Sequence, residues 1–409
     1  MPNPLHSARI VLGVTGSIAC YKAADLASKL SQAGATVDTI LTGAATKFVS
    51  PITFASVTGR GAYTDGDLWG DRAHVLHIGL GRDADLLIVA PITANSLAKL
   101  AHGSADDLLS VTALAARCPV LVAPAMDGGM FTHPATQANL QILRERGVHV
   151  IGPESGHLAS GLVAAGRMSE PAAILGMARY LLSRGGPLAG RRVVVTAGGT
   201  REPIDPVRYI TNRSSGKQGY ALAQAALDAG ADVTLISAAA SPAPDLPGPA
   251  GATLIGVGSV AEMAAAVLAA SRGADALLMA AAVSDFRAAE AADQKIKKGN
   301  EPPLIRLAAT TDILMAVADQ RARGQGPKIV VGFAAETQDL LENARSKLAR
   351  KKLDLIVAND VSAPDAGFGV DTNRVTLLAA DGAVESLPLL GKDAVAERVV
   401  EWVVGVWVG

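Results

Sequence analysis

The sequence predicts an α/β protein built from two doubly wound domains. The same strand–turn–helix–turn–strand pattern opens each half of the 409-residue chain. The predicted strands are short, continuous apolar runs, which are typical of parallel sheets covered by helices on both faces. Gly and Pro cluster at residues 183–190, between the two halves, and this composition favours a domain junction. We therefore predict one domain at residues 1–185 and a second at residues 186–409.

The composition favours a folded protein without a highly charged partner. Hydrophobic residues make up 49% of the chain and aromatic ones only 3%, so aliphatic side chains must fill the core. The net charge of −1 gives no overall field that would attract nucleic acid or an anionic membrane. Every apolar run is broken before the roughly 18 residues that a membrane span needs. Cys20 and Cys118 are too few for a disulfide framework, which favours a cytoplasmic protein.

The first half begins with a β-α-β unit. An apolar strand at 9–14 is followed by an amphipathic helix at 18–32 and a second strand at 37–41. Because a helix separates the two strands, they are expected to pair in parallel. Three further buried strands are predicted at residues 86–90, 120–123 and 148–151.

The second half repeats this unit with an insert. A strand at 192–197 and a helix at 216–227 are separated by the insert 201–215, and a strand at 233–236 follows the helix. A Pro-rich loop is expected at 241–251. The remaining predictions are strands at 253–256, 276–279, 329–332 and 355–358, and a closing hairpin that starts at 375–378 and turns at Asp381-Gly382.

Two loops between strands and helices are candidate anion sites, because helix N-termini present free N–H groups. The loop 13–18 either forms a simple tight turn or binds a phosphate. It is not a dinucleotide fingerprint, because Thr15 occupies the position of the second glycine. This argues against a nicotinamide-dependent oxidoreductase. The segment 214–217 is not a Walker A motif, since Thr211 replaces its first glycine and Gln218 follows the lysine. It still qualifies as an anion cradle.

Histidine and lysine residues are further candidate site residues, but their spacing alone does not distinguish a structural role from a functional one. His77, between apolar neighbours, is either a packed structural residue or a general acid/base. His74 lies three residues away, but no third metal ligand is evident nearby. Lysines at 295, 347 and 351 form either a solvated surface or a site that neutralises a triphosphate.

Longer strings carry a resemblance to a known family. In the first half, residues 16–19, 90–95, 124–126 and 166–168 resemble the flavin-dependent cysteine decarboxylases of coenzyme A synthesis. The second half resembles phosphopantothenate–cysteine ligase, in strings at 196–208, 212–216, 281–285, 295–298, 332–337 and 358–360. Their order is similar to that of the bifunctional phosphopantothenoylcysteine decarboxylase / phosphopantothenate–cysteine ligase family. The resemblance implies a flavodoxin-like flavoprotein domain followed by a Rossmann-like ligase domain.

For the second domain, the resemblance implies a CTP-dependent ligation. CTP, with Mg²⁺ or another divalent cation, would convert the carboxylate of 4′-phosphopantothenate into an acyl-cytidylate, which the cysteine amine then attacks. Asn212 would hold the acyl-cytidylate, and Lys295 would act in catalysis and contact CTP. The other residues implied in substrate binding are Ala281, Asp285, Thr311, Asp312, Phe333, Lys347 and Lys351.

For the first domain, the resemblance implies FMN-dependent decarboxylation to 4′-phosphopantetheine. His77 matches the catalytic histidine of the family, and Met126, Asp127 and Met130 match its substrate pocket. The residues implied in FMN binding are Gly16, Ser17, Thr42, Thr93, Asn95 and Ser110.

Two residues depart from the family pattern. Asp127 stands where an asparagine often binds the substrate carboxylate, and two facing carboxylates repel each other. Ser160 stands where a flap cysteine often donates a proton, although serine is a much weaker acid. These departures motivate an alternative in which only the ligase works and the flavin domain is a degenerate decarboxylase or an assembly scaffold.

The resemblance also implies a homo-oligomer. Decarboxylase trimers and ligase dimers of the family combine into a larger shell, a dodecamer.

Overall fold

The computed structural model describes residues 3–69, 75–239, 248–298, 304–336, 340–360 and 369–408. The chain forms two compact units, the first ending at Ser183 and the second beginning at Arg184. The first unit contains, in chain order, β1 (Arg9–Val14), α1 (Cys20–Gln32), β2 (Thr36–Leu41), α2 (Pro51–Thr58), β3 (Ala62–Thr64), α3 (Leu76–Asp83), β4 (Leu86–Ile92), α4 (Ala94–His102), α5 (Leu108–Ala115), β5 (Val120–Pro124), α6 (Gly128–Thr132), α7 (Pro134–Glu145), β6 (His149–Val150), β7 (Glu154–His157), β8 (Val163–Arg167) and α8 (Pro171–Ser183).

The main sheet of the first unit is parallel, with strand order β3-β2-β1-β4-β5-β6. Leaving aside the three-residue β3, this is the 2-1-3-4-5 order of flavodoxin-like sheets. The chain winds outward in one direction from β1 to β2 and in the other from β4 onward. The crevice between β1 and β4 is therefore the point where a ligand is expected.

The core of the first unit lies on both faces of this sheet. Every residue of β4 is buried, which explains why the sequence there reads as a continuous apolar run. On one face Leu26 and Phe54 pack among the residues of one buried cluster. On the other face Leu109 and Leu140 belong to a second cluster.

The second unit contains, in chain order, β9 (Arg192–Ala197), β10 (Arg201–Pro203), β11 (Tyr209–Thr211), α9 (Lys217–Asp228), β12 (Asp232–Ser237), β13 (Thr253–Gly256), α10 (Val260–Ala270), β14 (Ala276–Met279), β15 (Phe286–Ala288), β16 (Leu307–Ala309), α11 (Ile313–Ala322), β17 (Ile329–Glu336), α12 (Leu340–Arg350), β18 (Leu355–Asp360), β19 (Thr372–Asn373), β20 (Val375–Ala379), β21 (Val384–Ser386), β22 (Leu390–Gly391) and α13 (Lys392–Val408). Its main sheet has the order β13-β12-β9-β14-β17-β18-β20-β21. The first six of these strands run parallel in the Rossmann order 3-2-1-4-5-6. The predicted closing hairpin is confirmed as the antiparallel pair β20–β21 at the sheet edge.

The insert 201–215 contains structure that the sequence did not indicate. Its strands β10 and β11 pair as an antiparallel hairpin. Asp205, 3% exposed, accepts hydrogen bonds from the backbone N–H groups of Val207 (2.8 Å), Arg208 (2.8 Å) and Ile296 (3.1 Å). Burial raises the pKa of Asp205, but these donors together hold that pKa below its usual value. The carboxylate thus joins the insert to the segment that carries Lys295.

The elements that were not predicted also include the antiparallel hairpin β7–β8 and the C-terminal helix α13. Most of the predicted Pro-rich loop, residues 241–247, lies outside the described residues. In the described part of the chain, no helix is both long and apolar enough to cross a membrane.

The substitution Phe54→Ala tests the packing of α2 on the first sheet. Phe54 is fully buried, so its removal should cost about 3–5 kcal/mol of stability through lost apolar burial and the cavity left behind. We expect a lower unfolding temperature for the first unit in a thermal melt. Ile52→Ala on the same helix is the matched control, because Ile52 is 69% exposed. Equal effects of the two changes would contradict the packing.

Candidate functional site

A cavity of about 510 Å³ opens at the carboxyl ends of β1 and β4 in the first unit. Its volume is within the range typical of small-molecule sites. Of the predicted site residues, it brings together Gly16, Ser17, Thr93, Met126, Asp127, Met130 and Ser160.

Thr15 ties together the two loops beneath this cavity. Its hydroxyl donates to the carbonyl of Pro91 at 2.9 Å and accepts from the N–H of Thr93 at 2.9 Å. The side chain is fully buried. The residue that broke the dinucleotide fingerprint therefore has a structural role, since it joins the loop after β1 to the loop after β4.

The wall around Gly16 fits an anionic group of a cofactor. A Cβ atom at Gly16 would overlap Ala44, so only glycine allows the backbone to lie this close. The loop then leads into α1, while Thr93 caps the N-terminus of α4 by accepting from the N–H of Ser96 at 3.4 Å. Two helix N-termini thus begin beside the cavity, which suits the phosphate of a flavin nucleotide.

The two residues that depart from the family pattern are hydrogen-bonded to each other. The Ser160 hydroxyl donates to Oδ2 of Asp127 at 2.6 Å, and the N–H of Gly129 donates to Oδ1 at 2.9 Å. The bond from Ser160, followed by that from Gly129, lowers the pKa of Asp127 below its usual value. Since Ser160 lies in the turn of the β7–β8 flap, the pair joins the flap to the N-terminus of α6.

Four predicted residues of the first domain do not line this cavity. Thr42 is buried at the end of β2, and Ser110 is buried where its hydroxyl and backbone complete the N-terminal cap of α5 with Asp107. Asn95 is exposed near the start of α4. His77 is half-buried on α3, and its Nδ1 has no hydrogen-bond partner among the described residues.

Other lining residues were not predicted as site residues. They include Tyr21 and Lys22 on α1, and His157 and Arg167 on the flap. The Lys22 ammonium donates to Oε1 of Glu170 at 2.7 Å and to the Met168 carbonyl at 3.1 Å. Arg167 lies within the family string 166–168 and could have been predicted from it, whereas His157 precedes the segment that carries the resemblance.

In the second unit, a cavity of about 420 Å³ lies beside the carboxyl ends of β14 and β17. It is lined by every predicted ligase residue except Lys295, namely Asn212, Ala281, Asp285, Thr311, Asp312, Phe333, Lys347 and Lys351. We call this the nucleotide cavity. The structure therefore brings together residues that are widely separated in the sequence.

Hydrogen bonds fix the polar side chains of the nucleotide cavity. The Asn212 amide donates to the carbonyls of Ala282 at 3.2 Å and Val283 at 3.1 Å. Asp312 caps the N-terminus of α11 and forms an ion pair with Lys351 at 3.1 Å. This pair holds the lysine ammonium at the cavity wall.

Lys295 lies outside this cavity and is exposed. Its segment is anchored through Ile296, whose N–H donates to Asp205 at 3.1 Å and whose carbonyl accepts from Arg208 at 3.0 Å. The structure therefore gathers Lys347 and Lys351 at the nucleotide cavity but leaves Lys295 on a separate segment.

A smaller cavity of about 110 Å³ adjoins the nucleotide cavity and shares Phe333 with it. We call it the anion cavity, because its lining combines the segment 214–217 at the N-terminus of α9 with the ammonium groups of Lys217 and Lys392. Lys392 is 8% exposed, and burial, together with the nearby Lys217 charge, lowers its pKa. Lys217 pairs with Asp371 at 2.6 Å. No sequence pattern indicated Lys392, because it is remote along the chain from the segment 214–217 that it faces.

No cluster of three or more His, Cys, Asp or Glu residues suited to a metal ion is found within the described ranges. His74, considered with His77 as a metal ligand, lies outside those ranges.

Sequence families match both units. The family described as "DNA/pantothenate metabolism flavoprotein C-terminal domain" matches residues 188–406, and the family described as "Flavoprotein" matches residues 2–182. The "Coenzyme A biosynthesis bifunctional protein CoaBC" of Bacillus subtilis is 46% identical over 97% of this chain and 97% of its own length. The protein of the same name from Mycobacterium bovis is 47% identical over 97% of this chain and 96% of its own.

This chain belongs to the family of CoaBC bifunctional proteins. A crystal structure of a CoaBC C-terminal domain covers 54% of this chain and 98% of its own, with 36% identity and a TM-score of 0.45. Membership of the CoaBC family confirms the predicted bifunctional enzyme of coenzyme A biosynthesis, with a flavoprotein decarboxylase domain and a ligase domain. The predicted α/β fold class is confirmed as well. The flavoprotein match supports a flavin cofactor in the first unit.

The Asp127–Ser160 pair predicts a measurable pKa change. Removing the hydroxyl in Ser160→Ala takes away the donor that most stabilises the ionised carboxylate, so the pKa of Asp127 should rise toward its ordinary value. The stabilisation from this bond is present at neutral pH and is lost as the pH falls through the lowered pKa of Asp127. A ¹³C NMR titration of the Asp127 carboxyl measures the shift. Ser155→Ala, on the same flap, is the control, and an unchanged pKa in Ser160→Ala would contradict the pairing.

Proposed function

We propose that this enzyme converts 4′-phosphopantothenate into 4′-phosphopantetheine in two steps. Residues 186–409 would ligate cysteine with CTP, and residues 1–185 would decarboxylate the cysteinyl product with FMN. The observation that carries the proposal is the nucleotide cavity, because all predicted ligase residues but Lys295 converge there although the sequence scatters them over more than one hundred positions.

The nucleotide cavity supports binding of CTP. Lys347 and Lys351 supply positive charge for a triphosphate, and Asp312 orients Lys351. Phe333 offers an aromatic face for the base. A divalent cation such as Mg²⁺ would be held mainly by the nucleotide phosphates, since the described residues form no metal cluster of their own. Lys295 would then contact CTP only if its segment moves toward this cavity.

The adjoining anion cavity supports binding of the substrate phosphate. Lys217, Lys392 and the N-terminus of α9 supply charge and N–H donors there. The substrate chain would run past Phe333, which lines both cavities, and place its carboxylate near Asn212. This arrangement would set the carboxylate beside the α-phosphate of CTP, where positioning alone contributes strongly to the rate.

The cavity of the first unit supports binding of FMN and the cysteinyl product. FMN supplies a two-electron acceptor that makes loss of CO₂ feasible and later returns the electrons. Gly16, Ser17 and Thr93 would hold its phosphate at the two helix N-termini. Met126 and Met130 would contact the substrate chain, and the flap would exclude water from the reaction.

Two further predictions remain part of the proposal. Because His77 and Asn95 lie away from the cavity of their own chain, we propose that any role they have in catalysis or FMN binding depends on a homo-oligomer of trimers and dimers, a dodecamer. Cys20 and Cys118 are free, in keeping with a cytoplasmic location.

One incubation tests the whole proposal. The purified protein with 4′-phosphopantothenate, cysteine, CTP and Mg²⁺ should yield CMP, pyrophosphate, CO₂ and 4′-phosphopantetheine, identified by mass spectrometry. Omitting CTP should stop both steps, whereas synthetic phosphopantothenoylcysteine should restore CO₂ release without CTP. If pyrophosphate is released but CO₂ forms under none of these conditions, the protein is a ligase only.

The variant Lys351→Ala tests the nucleotide cavity. A charged hydrogen bond is worth about 1.5–3 kcal/mol, so the KM for CTP should rise about tenfold or more. Pyrophosphate release measured against CTP concentration gives this value. Arg350→Ala is the matched control, since Arg350 is a cation on α12 that is exposed and does not line the cavity. CO₂ release from synthetic phosphopantothenoylcysteine should be unchanged in both, and an unchanged KM in Lys351→Ala would contradict the site.

A further inference from the structure

We propose that His157 is the acid that protonates the enethiolate left after decarboxylation, in place of the family thiol at the position of Ser160. This assignment rests on the decarboxylase function proposed above. It names a catalytic residue that this chain's own flap provides.

The step that needs an acid follows loss of CO₂. The carbon that carried the carboxylate must gain a proton before the substrate can be reduced. An N–H bond of a protonated imidazole breaks and its electron pair stays on nitrogen. The π pair of the enethiolate C=C bond forms the new C–H bond, and a sulfur lone pair forms C=S. No electrons are gained or lost in this step, and the later hydride belongs to the reduced flavin.

Ser160 is unsuited to supply this proton. Its O–H is directed to Oδ2 of Asp127 at 2.6 Å, and the lowered pKa of Asp127 keeps that carboxylate ionised. If Ser160 lost its proton, an alkoxide would lie beside a carboxylate, and two like charges at that distance are strongly destabilising. Asp127 has no proton to give at neutral pH.

The other polar side chains that line the cavity are poorer acids, and Ser17 and Thr93 are alcohols like Ser160. Lys22 is a buried cation held by Glu170 at 2.7 Å, and its proton stabilises that ion pair. The guanidinium of Arg167 does not release protons in proteins. Tyr21 offers a phenol, which is a much weaker acid than an imidazolium.

His157 combines suitable chemistry with suitable placement. Histidine is the side chain whose charge changes near physiological pH, so it exchanges protons readily there. His157 lines the same cavity as Met126 and Ser160 and ends β7, paired with Val163 across the flap. Its side chain is exposed at the cavity wall, and its ring has no hydrogen-bond partner within the described part of the structure, so both nitrogens are available to a substrate.

The variant His157→Gln, assayed as the flavin-loaded full chain with synthetic phosphopantothenoylcysteine, tests the assignment. CO₂ should still form, but the product should be two hydrogens short of 4′-phosphopantetheine. Formation of the saturated product should fall about a hundredfold or more, the usual contribution of a general acid. His149→Gln, an exposed histidine on β6, is the matched control and should behave as the unsubstituted protein. Saturated product at the unsubstituted rate in His157→Gln would overturn the proposal.

A rescue and a spectroscopic readout separate chemistry from structure. Ser160→Cys added to His157→Gln should restore the saturated product, because a thiol then occupies the flap. In the unsubstituted protein, the ring NMR signals of His157 should shift when 4′-phosphopantetheine is added; no shift would overturn the proposal even if His157→Gln fails to fold. Absence of CO₂ from the unsubstituted protein would instead refute the decarboxylase function itself.

Discussion

Parallel pairing brings the carboxyl ends of the parallel strands in each main sheet to one edge of that sheet, and the helices that follow these strands begin there with free N–H groups. Both candidate sites depend on this constraint. In the first unit, the loops after β1 and β4 lie side by side at this edge, and the Thr15 hydroxyl joins them by hydrogen bonds. In the second, the insert after β9, the loop after β14 and the carboxyl-terminal half of β17 bring Asn212, Ala281 and Phe333 to one cavity.

The sequence predicted the strands of both sheets well because buried parallel strands leave a strong local pattern. It also predicted most of the nucleotide cavity, through strings whose resemblance is specific. It did not predict the β10–β11 hairpin, whose connecting segment is hydrogen-bonded to the buried carboxylate of Asp205 and carries no alternating apolar pattern. Lys392 could not be predicted either, because only the folded chain brings it close to the N-terminus of α9.

Asp127 and Ser160, which depart from the family pattern, show that the effect of a residue can depend on a partner that is distant in the sequence. Considered one at a time, Asp127 was a repulsive charge and Ser160 a poor acid. Together they form a short hydrogen bond that joins the flap to α6, so the serine hydroxyl stabilises the carboxylate and the carboxylate accepts the hydrogen bond that the serine donates. Pairing of this kind depends on two segments more than thirty residues apart along the chain, and no local pattern records it.

The buried position of Lys392 has a consequence for selectivity. Folding buries its ammonium in a small cavity near Lys217, and this burial, followed by the Lys217 charge, lowers the pKa of Lys392, so that its charged form is disfavoured there. A doubly charged phosphate bound in the anion cavity as proposed would offset this cost by forming charged hydrogen bonds with the lysines. An unphosphorylated analogue would leave the cost in place, so we expect the anion cavity to favour phosphorylated substrates by charge as well as by shape.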